Sequence, residues 1–262
     1  MKHPALTSRS LNPLAALLLL PVALVAQQPK LTPTALLEAT THTQPLTHLA
    51  TPPLIVIGFA GGFIKRTSKV HGEVELATHL REKYGAAIHA DIFENHHGDE
   101  AYRHILELLA DHPTPHQPAR IILYGHSWGA SEAVAVARQL QHDGIPVLLL
   151  VSVDGVRKRL HDDSIVPANV AQAINFYQTE GLLHGRPLIQ AADPATTQII
   201  DNIHLTYKNN EVPTPGYPWF AQTFTKRHIE IENDPRVWTQ VEALIQANLP
   251  PTPTTVATAT NP

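Results

Sequence analysis

Short apolar runs alternate with amphipathic stretches between residues 51 and 155. The run "PLIVIGFAGG" is apolar throughout and ends in glycines, which is typical of a strand buried on both faces. The next stretch, "EVELATHLREKYG", has apolar residues at helical spacing and Gly85 as its stop. The pattern repeats in "AAIHADIFE" and "GDEAYRHILELLADH", then in "RIILYG" and "ASEAVAVARQLQHDG", before a last run "PVLLLVSVDG". Three such alternations predict a mostly parallel central sheet with helices on both faces.

The second half of the chain has a less regular pattern. "PANVAQAINFYQ" predicts a helix that leads into a strand, and "QIIDNIHLTYK" predicts a further strand. A closing helix is predicted over "NDPRVWTQVEALIQANL", because Asp234 can cap it and Pro235 suits its first turn. Asp99 is the predicted cap of the earlier helix in "GDEAYRHILELLADH". We therefore expect one α/β domain over residues 51–249, without internal repeats.

Both ends of the chain differ in composition from this domain. Residues 1–26 predict a signal peptide, because Lys2 and Arg9 precede the apolar run 14–26, which Pro21 breaks and which is too short to span a bilayer. Cleavage near Ala26 would export the protein to the periplasm or the medium; an uncleaved membrane anchor is the alternative. Residues 27–50 and 250–262 are rich in Pro and Thr and predict disordered segments.

Composition limits the chemistry that the chain can perform. The 43% hydrophobic content allows a substantial core, and the net charge of −4, without blocks of like charge, gives no reason to expect nucleic acid as a partner. The absence of cysteine excludes disulfides, thiolate metal sites and a cysteine nucleophile, and fits export. Catalysis would have to use oxygen or nitrogen nucleophiles. The oligomeric state is not predicted.

A serine lies between two glycines where the third alternation turns from strand to helix. The motif runs from Gly125 to Gly129, with Ser127 at its centre. A tight turn at this point forces the serine into a strained conformation and leaves no room for side chains at the two glycines. The serine hydroxyl is then exposed at the carboxyl edge of the sheet, where open α/β sheets bind ligands. The context therefore favours a nucleophile over an ordinary serine.

The sequence resembles the α/β-hydrolase superfamily over about residues 51–249, and within it a group of exported bacterial proteins similar to lipases and esterases. The resemblance rests on "GHSWG", on the strand and helix alternation, and on "HIEIENDPRVW". It implies a nucleophilic serine, then an acid, then a histidine along the chain. Ser127 would be the nucleophile and His228, just before the closing helix on a predicted loop, the base. Other downstream histidines are His142, His161, His184 and His204.

The acid of the predicted triad has three candidates. Asp154 follows the strand after the serine's helix and would emerge at the same edge of the sheet. Most members of the superfamily carry the acid one strand later, although some lipases use this earlier position. Asp193 and Asp201 are the alternatives, but they also suit a turn and a strand edge. We expect Asp154.

An oxyanion hole needs two amide donors. The resemblance implies the amide of Trp128 as the first and one from "GFAGGF" as the second, with Phe59 preferred and Ala60 next. A simple glycine turn at the end of the strand is the alternative interpretation of "GFAGGF". His126 is expected to line the turn as a structural residue.

Three further groups have both a functional and an ordinary interpretation. The loop "FENHHGDE" brings together His96, His97, Asp99 and Glu100, but adjacent histidines seldom bind one ion, so no metal site is predicted. The loop "IKRTSK" could attract an acidic substrate, although a solvated basic loop is simpler. Trp219 and Phe220 could line a pocket or pack in the core.

These patterns together predict an exported serine hydrolase that cleaves a carboxylic ester or thioester. The expected substrate is a small-molecule or lipid acyl ester, with no cofactor. A non-catalytic binding protein with a hydrolase-like fold, or an amidase or peptidase with the same triad, are the alternatives.

Overall fold

A computed structural model of the protein describes residues 53–111, 119–158 and 162–249. The predicted signal peptide, the segments 27–50 and 250–262, and His161 lie outside the described residues. None of the helices in the described ranges combines the length and the hydropathy needed to cross a membrane.

A six-stranded parallel sheet forms the centre of the fold, with the strand order β2-β1-β3-β4-β6-β8. A second sheet pairs two short strands, β5 and β7, in parallel. This arrangement confirms the predicted α/β class. The strands are β1 Leu54–Ala60, β2 Ile88–Glu94, β3 Ile121–His126, β4 Val147–Val153, β5 Ile165–Val166, β6 Val170–Tyr177, β7 Gln190–Ala191 and β8 Gln198–His204.

Helices cover both faces of the sheet, as the sequence predicts. Two of them, α2 and α3, pack in the core on one face, whereas α1 and α6 pack in the core on the other. The two short helices α4 and α5 precede α6 in the chain. The helices are α1 Gly72–Tyr84, α2 Gly98–Asp111, α3 Trp128–His142, α4 Trp219–Phe224, α5 Lys226–Glu232 and α6 Pro235–Ala247.

Strand β1 shows why its sequence is apolar at every position. Ile57 and Phe59 pack with α2 and α3, while Leu54 and Val56 pack with α1 and α6. Successive side chains of a strand point to opposite faces, so a strand covered on both sides needs apolar residues throughout. Hydrophobic burial on both faces of the sheet therefore stabilises β1 in its position between β2 and β3.

Two of the predicted elements need correction. "PANVAQAINFYQ" contains no helix, because the run from Val170 to Tyr177 forms the strand β6 between β4 and β8. Asp99 is not a cap, since α2 already begins at Gly98 and Asp99 lies in its first turn. The cap of the closing helix is confirmed: the carboxylate of Asp234 accepts a hydrogen bond of 2.9 Å from the backbone amide of Arg236.

Candidate active site

Ser127 occupies a sharp turn between β3 and α3 at the centre of the sheet. Its backbone has φ 55° and ψ −123°, and among the described residues only one other non-glycine residue, Asp154, has positive φ. Side chains disfavour this conformation, so both residues are strained and need support from their surroundings. The amide of Ser127 donates a hydrogen bond of 3.0 Å to the carbonyl of Val153 on β4.

The two glycines of the motif are required by close backbone contacts. A Cβ atom at Gly125 would overlap the carbonyl group of Gly129, one helical turn away. A Cβ atom at Gly129 would overlap the carbonyl oxygen of Phe59 on β1. The turn can therefore hold the first turn of α3 against β1 and β3 only with glycine at both positions, as predicted.

Ser127, His228 and Asp154 form one chain of hydrogen bonds. Nε2 of His228 lies 2.8 Å from Oγ of Ser127, and Nδ1 of the same ring lies 2.7 Å from Oδ2 of Asp154. All three side chains are buried. Serine, acid and histidine thus meet in the geometry of a hydrolase triad.

Asp154 is surrounded by hydrogen-bond donors. Oδ1 accepts from the backbone amides of Gly185, at 2.7 Å, and Gln178, at 3.2 Å, while Oδ2 accepts from the side-chain amide of Gln178 at 2.9 Å. A carboxylate held by these donors can only accept from His228, so Nδ1 of that ring carries a hydrogen. Nε2 is then free to accept the hydroxyl proton of Ser127.

The position of His228 in the chain differs from the predicted loop. It lies in α5, a helix of 7 residues in which every residue from His228 to Glu232 is buried. Burial on all sides removes the amphipathic pattern from which a helix is predicted, and "HIEIE" alternates instead. The loop prediction is wrong, although the predicted residue does reach Ser127.

The alternative acids lie elsewhere in hydrogen-bond networks of their own. Asp193 accepts from the amide of Ala195 in a turn, and Asp201 is exposed on β8, where it accepts from the amide of Asn202. Among the remaining histidines, His142 is exposed at the end of α3, and His204 lies within hydrogen-bond distance of a threonine hydroxyl.

The predicted oxyanion donors occupy different environments. Trp128 is the first residue of α3, so its amide belongs to the N-terminus of that helix, where the helix dipole favours negative charge. Phe59 is fully buried inside β1, between Phe93 and Gly125, and does not line the cavity at Ser127. Ala60 is also buried in β1 and does not line the cavity, whereas Gly61 and Gly62 do; the amide of Gly61 donates to Oε1 of Glu73 at 3.2 Å. The geometry therefore favours Gly61 and Gly62 over Phe59 and Ala60 as the source of the second amide.

A cavity of about 770 Å³ opens in front of Ser127 and His228. Its walls are mainly apolar, and the ring of Phe63 stacks edge to face on Trp128 with 5.8 Å between centroids. Phe220 lines the cavity and Trp219 does not; both are exposed on α4, so neither belongs to the core. Further apolar lining comes from Ile64, Val70, Val156, Leu183, Pro218, Ala221 and Ile229.

Three ionisable side chains line this cavity beside Ser127 and His228: His71, His126 and Glu232. Together with Glu73, whose carboxylate lies within 4.8 Å of the ligand atoms of His71 and Glu232, they are hereafter the His71 cluster. Nδ1 of His71 lies 2.5 Å from Oε1 of Glu232, and the hydroxyl of Tyr217 lies 3.0 Å from the same nitrogen. The His126 ring packs on that of His228, with 4.5 Å between centroids. The cluster therefore touches the triad directly.

Burial dominates the electrostatics of the His71 cluster. Loss of solvent, followed by the charge of Glu232, raises the pKa of Glu73 well above its usual range, and burial raises the pKa of Glu232 to about 7. Burial lowers the pKa of His71. It also lowers the pKa of His126 well below its usual value, with help from the charges of His228 and His71. Both imidazoles are therefore neutral at neutral pH.

The other two groups singled out in the sequence are exposed. Lys65, Arg66 and Lys69 lie on the surface, as in a solvated basic loop. In "FENHHGDE", Nδ1 of His97 lies 3.5 Å from Glu94 and 3.3 Å from Glu100, with His97 about two-fifths exposed.

Sequence reasoning missed the residues that hold Asp154 and those of the His71 cluster other than His126. Gln178 and Gly185 donate to Asp154 from 24 and 31 positions away along the chain. Of the two, only Gly185 is a residue type that by itself suggests a special backbone position. His71 and Glu73 resemble ordinary residues at the start of a helix. Their proximity to Glu232 depends entirely on the packing of α1 against the end of α5.

Comparisons with known proteins give distant similarities only. No protein-family model matches the chain. No curated protein matches it either. Solved structures that are similar include the RedJ thioesterase of the prodiginine biosynthetic pathway in Streptomyces coelicolor, with a TM-score of 0.40, 11% identity, and 77% of this chain and 92% of that chain covered. Human thioesterase 2 is similar with a TM-score of 0.39 and 14% identity, over 74% of this chain and 95% of that chain. A hormone-sensitive lipase from a metagenome library is similar with a TM-score of 0.37 and 12% identity, over 74% of this chain and 79% of that chain. The conclusion on function therefore depends on the site itself.

Proposed function

We propose that the protein is a serine hydrolase that cleaves a carboxylic ester or thioester through an acyl-enzyme intermediate. The observation that carries this proposal is the hydrogen-bonded chain from Ser127 through His228 to Asp154, with the serine on a strained turn at the mouth of an apolar cavity. Export through the predicted signal peptide remains part of the proposal.

In the proposed first half-reaction, Oγ of Ser127 attacks the carbonyl carbon while its proton passes to Nε2 of His228. The carbonyl π electrons move to oxygen, and the amide of Trp128 and that of Gly61 or Gly62 stabilise that oxyanion. Asp154 keeps the ring in the required tautomer and stabilises the imidazolium. Collapse of the intermediate breaks the C–O or C–S bond, and His228 gives its proton to the leaving alcohol or thiol.

In the second half-reaction, water replaces the leaving group. His228 accepts a proton from the water as its oxygen attacks the acyl carbon, and then returns a proton to Oγ of Ser127 as the carboxylic acid departs. The size and apolar lining of the cavity support an acyl group with a hydrocarbon portion, because burial of apolar surface would contribute to its binding.

Labelling with a fluorophosphonate tests the nucleophile. We expect wild-type protein to be labelled and Ser127→Ala to be unlabelled, while Ser68→Ala, which changes another serine of the cavity wall, keeps the label. Equal labelling of wild type and Ser127→Ala would remove Ser127 from the mechanism. Absence of both labelling and turnover in the wild type would instead favour a binding protein with a hydrolase-like fold.

A substrate panel tests the reaction class. It would contain acyl esters and acyl thioesters of increasing chain length, together with the matching anilides. We expect hydrolysis of the esters or thioesters and much slower hydrolysis of the anilides. Comparable kcat/KM values for anilides would replace the proposed class by an amidase or peptidase with the same triad.

A further inference from the structure

The His71 cluster brings three potential metal ligands together beside the cavity, and a fourth side chain lies next to them. Nδ1 of His71 and a carboxylate oxygen from each of Glu73 and Glu232 lie within 4.8 Å of one another. Nδ1 of His126 lies 3.7 Å from the Glu232 oxygen that contacts His71. The donors come from the start of α1, the end of β3 and the end of α5, so the fold itself brings them together.

The cluster is buried and leaves polar atoms without partners. The exposed fractions are 0% for Glu73, 1% for Glu232 and 2% for His126. Oε2 of Glu73 and both ring nitrogens of His126 form no hydrogen bond of normal geometry. Native proteins seldom leave buried polar atoms unpaired, because each one loses its hydration without compensation. The cluster therefore has free coordinating atoms that point to a missing partner.

That partner is cationic in character. The ion-pair partners recorded for Glu232 are the imidazoles of His71 and His126, and the charges that act on Glu73 are those of Glu232 and His71. Two carboxylates buried side by side repel each other and cannot both ionise without compensation. Either a proton or a metal ion must supply the positive charge.

The donor set selects the class of metal. The two imidazoles offer ring nitrogens, and the carboxylates add oxygen donors. Mixed nitrogen and oxygen ligands suit zinc and other first-row transition metals, whereas calcium and magnesium prefer oxygen alone. His71, His126 and Glu232 also line the cavity in front of Ser127, which provides a path for entry.

We propose that His71, Glu73, His126 and Glu232 form a binding site for one divalent first-row transition metal ion, with Zn²⁺ as the best fit, on the wall of the cavity that holds Ser127. The site shares no ligand with the triad of Ser127, His228 and Asp154.

A bound ion would affect the triad through its charge. The centroids of the His126 and His228 rings lie 4.5 Å apart, with the rings tilted by 36°, so a dication on the cluster opposes formation of the His228 imidazolium during catalysis. We expect Zn²⁺ to lower kcat, an effect that rests on the proposed hydrolase function. Binding of the ion does not rest on it.

Metal binding is measured on the full chain after removal of metal with a chelator. Titrations use Zn²⁺ in a calorimeter and Co²⁺ by visible absorption, on wild type, Ser127→Ala, Glu232→Gln and Glu73→Gln. Wild type and Ser127→Ala should each bind one ion per chain at the cluster, and Zn²⁺ should raise the midpoint of thermal unfolding. Each Gln variant should weaken this binding by more than the roughly 10- to 100-fold that loss of an outer-shell partner costs.

The matched control is His97→Gln, in the exposed group of Glu94, His96 and His97. This variant should keep the affinity and the Co²⁺ absorption of wild type. Thermal unfolding of the metal-free Gln variants checks that they fold; each keeps the size of the original side chain. Wild type without any bound Zn²⁺ would show that a proton alone occupies the cluster, and loss of the ion in His97→Gln but not in Glu232→Gln would place the metal on the exposed loop. Either result overturns the proposal, whereas a protein that binds Zn²⁺ but is inactive in its metal-free form contradicts only the hydrolase function.

Discussion

Two groups of buried ionisable side chains, the triad and the His71 cluster, meet where the ring of His126 packs on that of His228. They differ in how their buried carboxylates are hydrogen-bonded. Asp154 accepts hydrogen bonds from His228, from Gly185 and twice from Gln178, so both of its oxygens have fixed donors. The His71 cluster has two carboxylates, and Oε2 of one has no hydrogen-bond partner. The difference teaches that a buried carboxylate is satisfied where the fold supplies its hydrogen-bond donors. Where it does not, the site has to take up a proton or another cation.

The largest expected effect is on kcat, when a histidine of each group is replaced in turn. His228→Gln should lower kcat by roughly 10⁴- to 10⁶-fold, because it removes the base and later acid of the reaction. His71→Gln in metal-free protein should lower kcat less than about 10-fold, since that ring contacts Glu232 and Tyr217 rather than Ser127. Steady-state kinetics on the best ester measures both. A similar loss in the two variants would assign His71 to the chemistry.

The next effect tests the acid. Asp154→Asn should lower kcat about 10⁴-fold, because an asparagine oxygen and amide favour the wrong tautomer of His228. Asp193→Asn and Asp201→Asn are the matched controls and should keep kcat within about 2-fold, as each is bonded to a nearby amide in the chain. Stopped or continuous ester assays suffice. A loss of activity confined to Asp193→Asn would transfer the role of the acid to that residue.

A smaller effect tests the donors around Asp154. Gly185→Ala should destabilise the protein by about 1 to 3 kcal/mol and lower kcat, because the new Cβ overlaps the backbone of Asp154. Gly85→Ala is the comparison: its φ is positive, at 50°, unlike that of Gly185, but nothing lies within 4 Å of the added atom. It should cost about 1 kcal/mol from backbone strain alone and leave kcat unchanged. Urea unfolding measures the two free energies; a Gly185→Ala variant as stable as wild type would mean that the contact with Asp154 has no energetic role.

The smallest effect compares the carboxylates of the two groups. In metal-free protein near neutral pH, Glu232→Gln should keep the free energy of unfolding within about 1 kcal/mol of wild type or raise it, because the amide carries no charge that needs compensation. Asp154→Asn should lose about 1 to 3 kcal/mol, since its amide group opposes donors that cannot turn away. Urea unfolding under the same conditions compares them. A larger loss for Glu232→Gln would show that its carboxylate is paired as well as that of Asp154.

The parts of the fold that follow hydrophobic periodicity could be predicted from the sequence. The alternation up to β4, the turn at Ser127 and the cap at Asp234 all depend on contacts between residues that are close in the chain. β6 was the exception. Its "VAQA" resembles a helix, but pairing between β4 and β8 outweighs that local preference.

The site was predictable only where the chain order of a known motif indicates its residues. Ser127, Asp154 and His228 could be named in this way, although the helix around His228 could not, because it is buried on every side. Phe59 was predicted as the second oxyanion donor, but the structure does not favour it, because β1 continues to Ala60. A sequence alone does not show at which residue a strand ends. The His71 cluster joins positions separated by as many as 161 residues, for which no local pattern exists.

The position of Asp154 directly after β4 has a consequence for the way the molecule fluctuates. β3 and β4 are adjacent strands, and the amide of Ser127 is bonded to Val153, the residue just before Asp154. Ser127 and Asp154 are therefore tied to the same pair of strands, and sliding of β3 along β4 would have to break the bond between Ser127 and Val153.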